Sequence, residues 1–359
     1  MTRRLGRADP DETTQFTVAA EHSGEGSLTG FSTRVAIVLV LIAVAAVVWK
    51  LAGLLILAFA GALLAILLRS MTSLLSRGLH LPWKVAFAVV LTAVLGAIVA
   101  AGWFGGRHVV DELNQLSERL PQAWNRVQEW LLGLPGGRSA VEELRYLLEQ
   151  FTTFPGLGGV AWGFVGAVGS VVLIGFVAVF LAASPRPYIS GVLEVIPPAG
   201  RERVALGLNA AAHSLRWWLV GQLISMVAVA VLTVIGLWLL DVPLALTLGL
   251  IAGVLEFIPF IGPLLSAVPA ILTGFSVDPQ TALYVAALYF VIQQVEGNLI
   301  VPLAQRWAVA LPPAFGLLAG TAFALLFGIP GLFFAVPMLV ALRAIVRKTY
   351  VEPMNARAP

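Results

Sequence analysis

The sequence predicts an all-α, multi-pass membrane protein, and three observations carry that prediction. Of 359 residues, 59% are hydrophobic and only 11% are charged, roughly half the charged share of an ordinary soluble domain. Mean hydropathy is +0.93. Apolar runs near the length needed to cross a bilayer recur along the chain, with the charges gathered between them. These features exclude a soluble globular domain. The expected architecture has about six full crossings, two broken or re-entrant helical hairpins of opposite orientation, and a small helical extracytoplasmic segment.

Residues 1–32 are rich in Thr, Gly, Ser, Asp and Glu, without apolar periodicity, and read as a disordered cytoplasmic tail. The crossings are expected at 33–50, 52–69, 84–104, 160–183, 217–240 and 280–300. The first three form an N-terminal group, 33–104. A transport core spans 160–350, and 351–359 is a short cytoplasmic tail.

Loops that stay in the cytoplasm collect Lys and Arg. Arg69, Arg77 and Lys84 follow the second crossing, Arg186, Arg201, Arg203 and Arg216 occupy a loop at 184–216, and Arg343, Arg347, Lys348 and Arg357 close the chain. Both termini are thereby expected inside, and segment 105–159, with five Arg against seven Asp plus Glu, outside. Trp49, Trp83, Trp103, Trp162, Trp217, Trp218 and Trp238 fall near the proposed ends, as headgroup-level rings do.

The outside segment predicts two amphipathic helices. Val109, Leu113, Leu116, Leu120, Val127 and Leu131 recur at helical spacing, and so do Val141, Leu144, Leu148 and Phe151, with Pro135-Gly136-Gly137 between the two sets. A lid or packing arm is the expected role. Gly163, Gly166 and Gly169-Ser170 suggest close helix packing in the fourth crossing. His213, Arg216 and Gln222 flank the start of the fifth, where the first two read as a positive boundary.

Between residues 217 and 342 the formal charges are Asp241, Glu256, Asp278, Glu296 and Arg306, and the two aspartates fall where loops are expected. Glu256 and Glu296 therefore stand at membrane depth, where an ionisable group costs roughly 2.5–3.5 kcal/mol and marks a functional position by default. Glu256 precedes Pro259, Gly262 and Pro263, which no continuous helix survives. Flanking pieces 244–258 and 264–275 are about 22 and 18 Å long, short of a roughly 30 Å hydrocarbon layer. Residues 313–347 repeat the pattern around Gly328, Pro330 and Gly331. Two oppositely oriented broken hairpins fit a transporter with its site near the midplane; two pairs of short tilted crossings fit the same count.

Glu296 lies in Gln293-Gln294-Val295-Glu296-Gly297-Asn298, with Gln293 and Glu296 on one helical face and Gln294 and Asn298 on another. These five groups are candidates to line a substrate or ion pathway, with interhelical hydrogen bonding the competing role for the amides. Burial makes either glutamate a candidate to exchange a proton as water access changes.

Cysteine is absent, and neither glutamate has the companions of a metal site, so no cofactor or metal is expected. No phosphate loop or nucleophile triad is present, so no enzyme is expected. The net charge of +3 comes from Lys and Arg at the edges of apolar runs, which argues against nucleic acid as a partner. The expected partners are the lipid bilayer and a small polar solute or cation.

Leu255-Glu256-Phe257-Ile258-Pro259-Phe260-Ile261-Gly262-Pro263, the preceding Gly236-Leu237-Trp238-Leu239-Leu240, Gln294-Val295-Glu296-Gly297-Asn298 through Pro302, and Gly328-Ile329-Pro330-Gly331 through Val336-Pro337 stand in the order seen in the bacterial autoinducer-2 exporter (AI-2E) family, which the chain resembles over about 33–350. The resemblance implies an inner-membrane transport protein. Some members are linked to export of a quorum-sensing signal and others to sodium or lithium exchange against protons. It also implies homo-oligomeric rings, with pentamers as the candidate size. Where many members read Val-Gly-Leu-His-Pro, this chain has Val309-Ala310-Leu311-Pro312-Pro313, without the histidine. An exporter of a small polar solute is the preferred reading, a cation/proton antiporter the close alternative, and a non-transporting membrane scaffold a third.

Overall fold

The computed structural model describes residues 50–100, 103, 106–133, 135, 137–152, 160–259, 261–304 and 313–355, with scattered helical positions between 33 and 47. The N-terminal tail, positions 34, 41, 44, 45, 48 and 49 of the first expected crossing, Phe260 and the 305–312 segment are among those outside the described residues. Every element among the described residues is helical. We number them α1 (Ala52–Gly78), α2 (Trp83–Ala100), α3 (Gly106–Leu132), α4 (Gly137–Thr152), α5 (Val160–Ala183), α6 (Pro185–Glu194), α7 (Pro198–Leu239), α8 (Ala245–Leu255), α9 (Ile261–Val277), α10 (Pro279–Val295) and α11 (Pro313–Val346). A π-helical turn, Glu296–Ile300, continues α10 into the short helix Val301–Ala304.

Among the described residues, five helices are long and apolar enough to cross a membrane, or up to six if the bent pair formed by α5 and α6 is one span. Their outer faces carry exposed large side chains such as Val171, Phe176 and Phe180 on α5 and Leu283 and Phe290 on α10. Polar groups such as Gln222, Ser225, Thr247, Glu256, Ser266 and Glu296 are buried instead. Apolar surface outside and polar groups inside is the arrangement of a polytopic all-α membrane protein.

α7 is the spine. Gly207, Ala211, Leu215, Trp218, Gln222, Ser225, Val229, Thr233 and Gly236 are buried along it at spacings of three and four, forming one continuous stripe. The sequence predicts a loop at 184–216 and a crossing only from 217, and here the structure differs. Both α6 and the first turns of α7 occupy that loop, because Pro185 and Pro198 sit in the first turn of each helix, where a missing amide costs nothing. The extension also moves Trp217 and Trp218 from a helix end to mid-helix, and Trp218 is a core residue at 3% exposure. Trp238, 71% exposed, stays at the far end of α7.

Small residues set the tightest helix contacts. A side chain on Gly249 would meet Val234, and one on Gly253 would meet Ala230 at 2.6 Å and the Met226 carbonyl at 2.8 Å, so this small-xxx-small pair seats α8 directly on α7. A methyl added to Gly169, a residue expected to serve helix packing, would meet nothing within 4 Å, and the side-chain surroundings of Gly163 and Gly166 lie outside the described residues.

The amphipathic arm comprises α3, unbroken through Pro121, and α4, with the apolar face of α3 inward. Leu116 is buried with Leu237, Val242, Leu248, Ala270 and Val285, and Trp130 packs edge-on against Phe275 at 5.7 Å. Arg126 donates to the Ser276 carbonyl, and Thr247 donates to the Glu112 carboxylate. The arm is therefore clamped onto the open end of the α8–α9 pair.

Candidate functional site

The sequence break after Glu256 is a break in the structure. α8 ends at Leu255, Glu256 to Pro259 form turns, and α9 begins at Ile261. The chain reverses so sharply that a methyl on Gly262 would lie 1.9 Å from the Leu255 carbonyl oxygen, so only glycine fits there. The second break behaves alike. Gly328 has φ 67° and ψ −151°, a conformation essentially restricted to glycine. A methyl on Gly331 would come within 2.2 Å of the Phe323 carbonyl oxygen, and Gly320 faces Leu332 at 3.6 Å. Twelve residues of continuous helix would separate that last pair by about 18 Å. α11 is therefore two helices folded back at Gly328.

The two fold-backs meet. The ring of Phe257, in the first turn, stacks on Phe333 with centroids 4.3 Å apart and planes 17° apart. Trp218 and Phe334 pack edge-on against the same ring at 5.7 and 6.4 Å. The first tip is buried, whereas Gly328 and Pro330 at the second are exposed.

Glu256 is 3% exposed, and its Oε2 is buried without a hydrogen-bond partner among the described residues. Its backbone carbonyl accepts from Gln222 Nε2 at 2.7 Å. Glu296 is 8% exposed and accepts from Gln293 Nε2 at 2.9 Å. The Glu296 carboxylate lies within electrostatic range of Glu256, so α10 and the first tip both bring an acidic group into this buried region. Glu296 opens the π-helical turn, in which the Val301 amide donates to the Glu296 carbonyl. Pro302, which follows, has no amide for the Asn298 carbonyl, so the regular helical ladder is interrupted here.

Gln293 joins this cluster. Gln294 and Asn298 do not, because both are exposed on the opposite face, where Asn298 Nδ2 donates to the Gln294 carbonyl at 2.9 Å. Pro259 and Pro263 are half-buried at the ends of the first reversal, where they keep the helices from joining.

Two features are not evident from the sequence. Gln222, which the sequence sets beside a helix start, is 3% exposed at the centre of α7 and holds the first tip. Ser225 stands one turn further along, with its hydroxyl buried and unpartnered among the described residues, as are those of Thr233 and Tyr289. The one signal for them in the sequence is the Gly249-xxx-Gly253 spacing. It docks α8 antiparallel to α7, which pairs residue 253 with 226 and 256 with 222.

Buried, partly unpartnered polar groups beside interrupted backbone, inside a shell of long apolar helices, define a multi-pass membrane protein with a polar interior. The chain belongs to the AI-2E transporter family, whose model matches residues 36–351. It is similar to YrrI of Bacillus subtilis, provisionally named a transport protein, at 26% identity over 75% of this chain and 79% of that one. A provisionally named transport protein of Mycobacterium tuberculosis is 28% identical over 73% of each chain. The AI-2 transport protein TqsA of Escherichia coli is 24% identical over 74% of this chain and 79% of its own.

Proposed function

We propose that this protein is a secondary transporter that exports a small polar solute, of which the autoinducer-2 signal is the leading instance, by alternating access through the two broken hairpins. The observation that carries this reading is the buried, unpartnered Oε2 of Glu256 at the tip of the first fold-back. An orphaned carboxylate oxygen in a dry interior costs several kcal/mol, so a hydroxyl-bearing solute or water is its natural complement. Glu296 and Gln293 supply the facing polar wall, and the Phe257–Phe333 stack couples the two hairpins so that movement of one tip displaces the other. The hairpins are re-entrant on this reading, because the 11 residues of α8 reach only about 16 Å. The similarity to TqsA supports autoinducer-2 as the first solute to try.

On the same reading the protein sits in the bacterial inner membrane with both termini cytoplasmic, following its basic segments, and assembles as a homo-oligomeric ring, with five subunits the size to test first. Counterflow of labelled autoinducer-2 in proteoliposomes of the full chain tests the reading. Uptake that falls at least tenfold in Glu256→Gln, with the variant still eluting as a folded protein, supports it; equal uptake overturns it.

The pairing of Glu256 and Glu296 favours one second reading, a sodium or lithium/proton antiporter, since two carboxylates with amide oxygens nearby suit a hard cation. A sodium pulse that collapses a preset pH gradient in the same vesicles selects it.

A further inference from the structure

Two cavities with basic linings flank the middle of α7 on its α1 side, about 9 Å along the helix from Gln222, which holds the first break, and well short of the end that meets the α3 arm. Arg216 and Leu237 are separated along that helix by about 31 Å. One cavity, of about 440 Å³, lies between α1 and α7 and is walled by Arg69, Arg77, His213 and Arg216. The other, of about 530 Å³, lies where α5 turns into α6 and adds Arg186. Arg69 and Trp83 belong to both, so the two form one polar recess with a shared wall. Their size falls within the roughly 300–1,000 Å³ of small-ligand sites.

No carboxylate among the described residues lines either cavity, and none of the four arginines forms an ion pair with a described residue. Arginines gathered without a counter-charge repel one another, and at the edge of a low-dielectric slab the repulsion is poorly screened. Arg69 is nonetheless held firmly. Nη1 donates to the Ala182 carbonyl at 2.7 Å, and its guanidinium lies over the Trp83 ring at 4.9 Å. One bond to a carbonyl leaves four of its five N–H donors for something else. Arg216 is similarly propped, 5.8 Å over Trp217.

We propose that this recess binds one phosphate group, carried on an anionic membrane lipid or free in the adjoining aqueous phase. A planar guanidinium matches two phosphate oxygens at once, which a point-charge ammonium does not, and every fixed cation in the recess is arginine. Trp83 marks headgroup level, and basic pockets between helices at that level suit acidic headgroups. The surface beside the recess favours the lipid source. Leu74, on the flank of the α1 stripe that carries Arg69, Ser70, Ser73 and Arg77, is an exposed apolar side chain along which an acyl chain can lie.

Native mass spectrometry of the full chain in detergent tests this, with phosphatidylglycerol compared against phosphatidylcholine of the same chain length. Titration calorimetry with inorganic phosphate forms a second arm. The expected result is at least tenfold preferential retention of phosphatidylglycerol, abolished in the double variant Arg69→Gln/Arg216→Gln. Arg77→Gln, at an exposed position that cannot compromise folding, should lower it about threefold, and Arg347→Gln, outside the recess, should leave it unchanged. Phosphate binding lost in the double variant, without lipid preference, assigns the free anion as the source. Equal retention of both lipids with no phosphate binding, or a phosphatidylglycerol preference that survives in both Arg69→Gln/Arg216→Gln and Arg77→Gln, overturns the proposal.

Discussion

The side-chain amide of Gln222 donates to the backbone carbonyl of Glu256 at 2.7 Å, with both residues buried. This bond closes an accounting gap, because the Val254 and Leu255 carbonyls accept from turn amides at 257 and 258, whereas no backbone amide among the described residues donates to the Glu256 carbonyl. Gln222→Leu removes the donor and strands the carbonyl, at a cost of about 1–3 kcal/mol. The expected outcome is a thermal midpoint a few degrees lower in detergent, together with slower solute counterflow at unchanged expression. Gln222→Glu, which accepts where a donor is needed, should be worse than Leu on the same melt.

Glu256 and Glu296 differ in their partners, and their variants should differ too. Glu256 Oε2 has no described partner, so Glu256→Gln loses no protein contact and should melt like the parent while transport falls tenfold or more. Glu296 accepts from Gln293, a contact that an amide acceptor can keep, so Glu296→Gln should also fold and Glu296→Ala should lower the midpoint. Counterflow and a fluorescence melt on the same preparation separate the two effects. A glutamate variant at position 256 that transports normally would remove the polar anchor from the scheme.

Each fold-back has a glycine fixed by close approach to a carbonyl oxygen, and glycines elsewhere in the chain provide controls. Gly262→Ala and Gly331→Ala would press a methyl against the carbonyl oxygens of Leu255 and Phe323, so each hairpin must open to admit it. Overpacking of this kind costs about 1–3 kcal/mol, and both variants should lose transport. Gly96→Ala and Gly175→Ala meet nothing within 4 Å and should be neutral or stabilised by roughly 0.5–1 kcal/mol, the helical preference for alanine. Melting the four variants side by side checks the ordering.

The local breaks are legible in the sequence because they rest on covalent facts. Pro259 lacks an amide and Gly328 tolerates a positive φ wherever they occur in an apolar run. The face shared by Gln293 and Glu296 is legible too, since helical spacing alone decides it. What spacing does not decide is which face meets the rest of the molecule. Gln294 and Asn298 carry the same chemistry as Gln293, yet they point outward, and only the packing of α10 on α7 makes that choice. Gln222 is hidden for a related reason. Its partner is a backbone carbonyl 34 residues away, brought there by Gly249 and Gly253. The start of α7 is ambiguous because prolines at 197 and 198 punctuate a sequence equally well as helix openers and as loop residues.

Asp278 begins α10 as an N-cap, accepting from the Thr281 amide at 2.8 Å and from the Thr281 hydroxyl at 2.7 Å. Those bonds favour the ionised form and hold its carboxyl below the ordinary aspartate range of about 3.9. The sign follows directly. A carboxylate depressed in the folded state adds stability that is complete above its unfolded value and is lost as pH falls through the folded one. Asp278→Asn keeps a side-chain oxygen for the cap but carries no charge. The parent should therefore outlast Asp278→Asn in thermal melts at pH 6–7, with the gap closing below about pH 4 as the cap protonates. A gap that widens on acidification would mean that Asp278 is held by something other than Thr281.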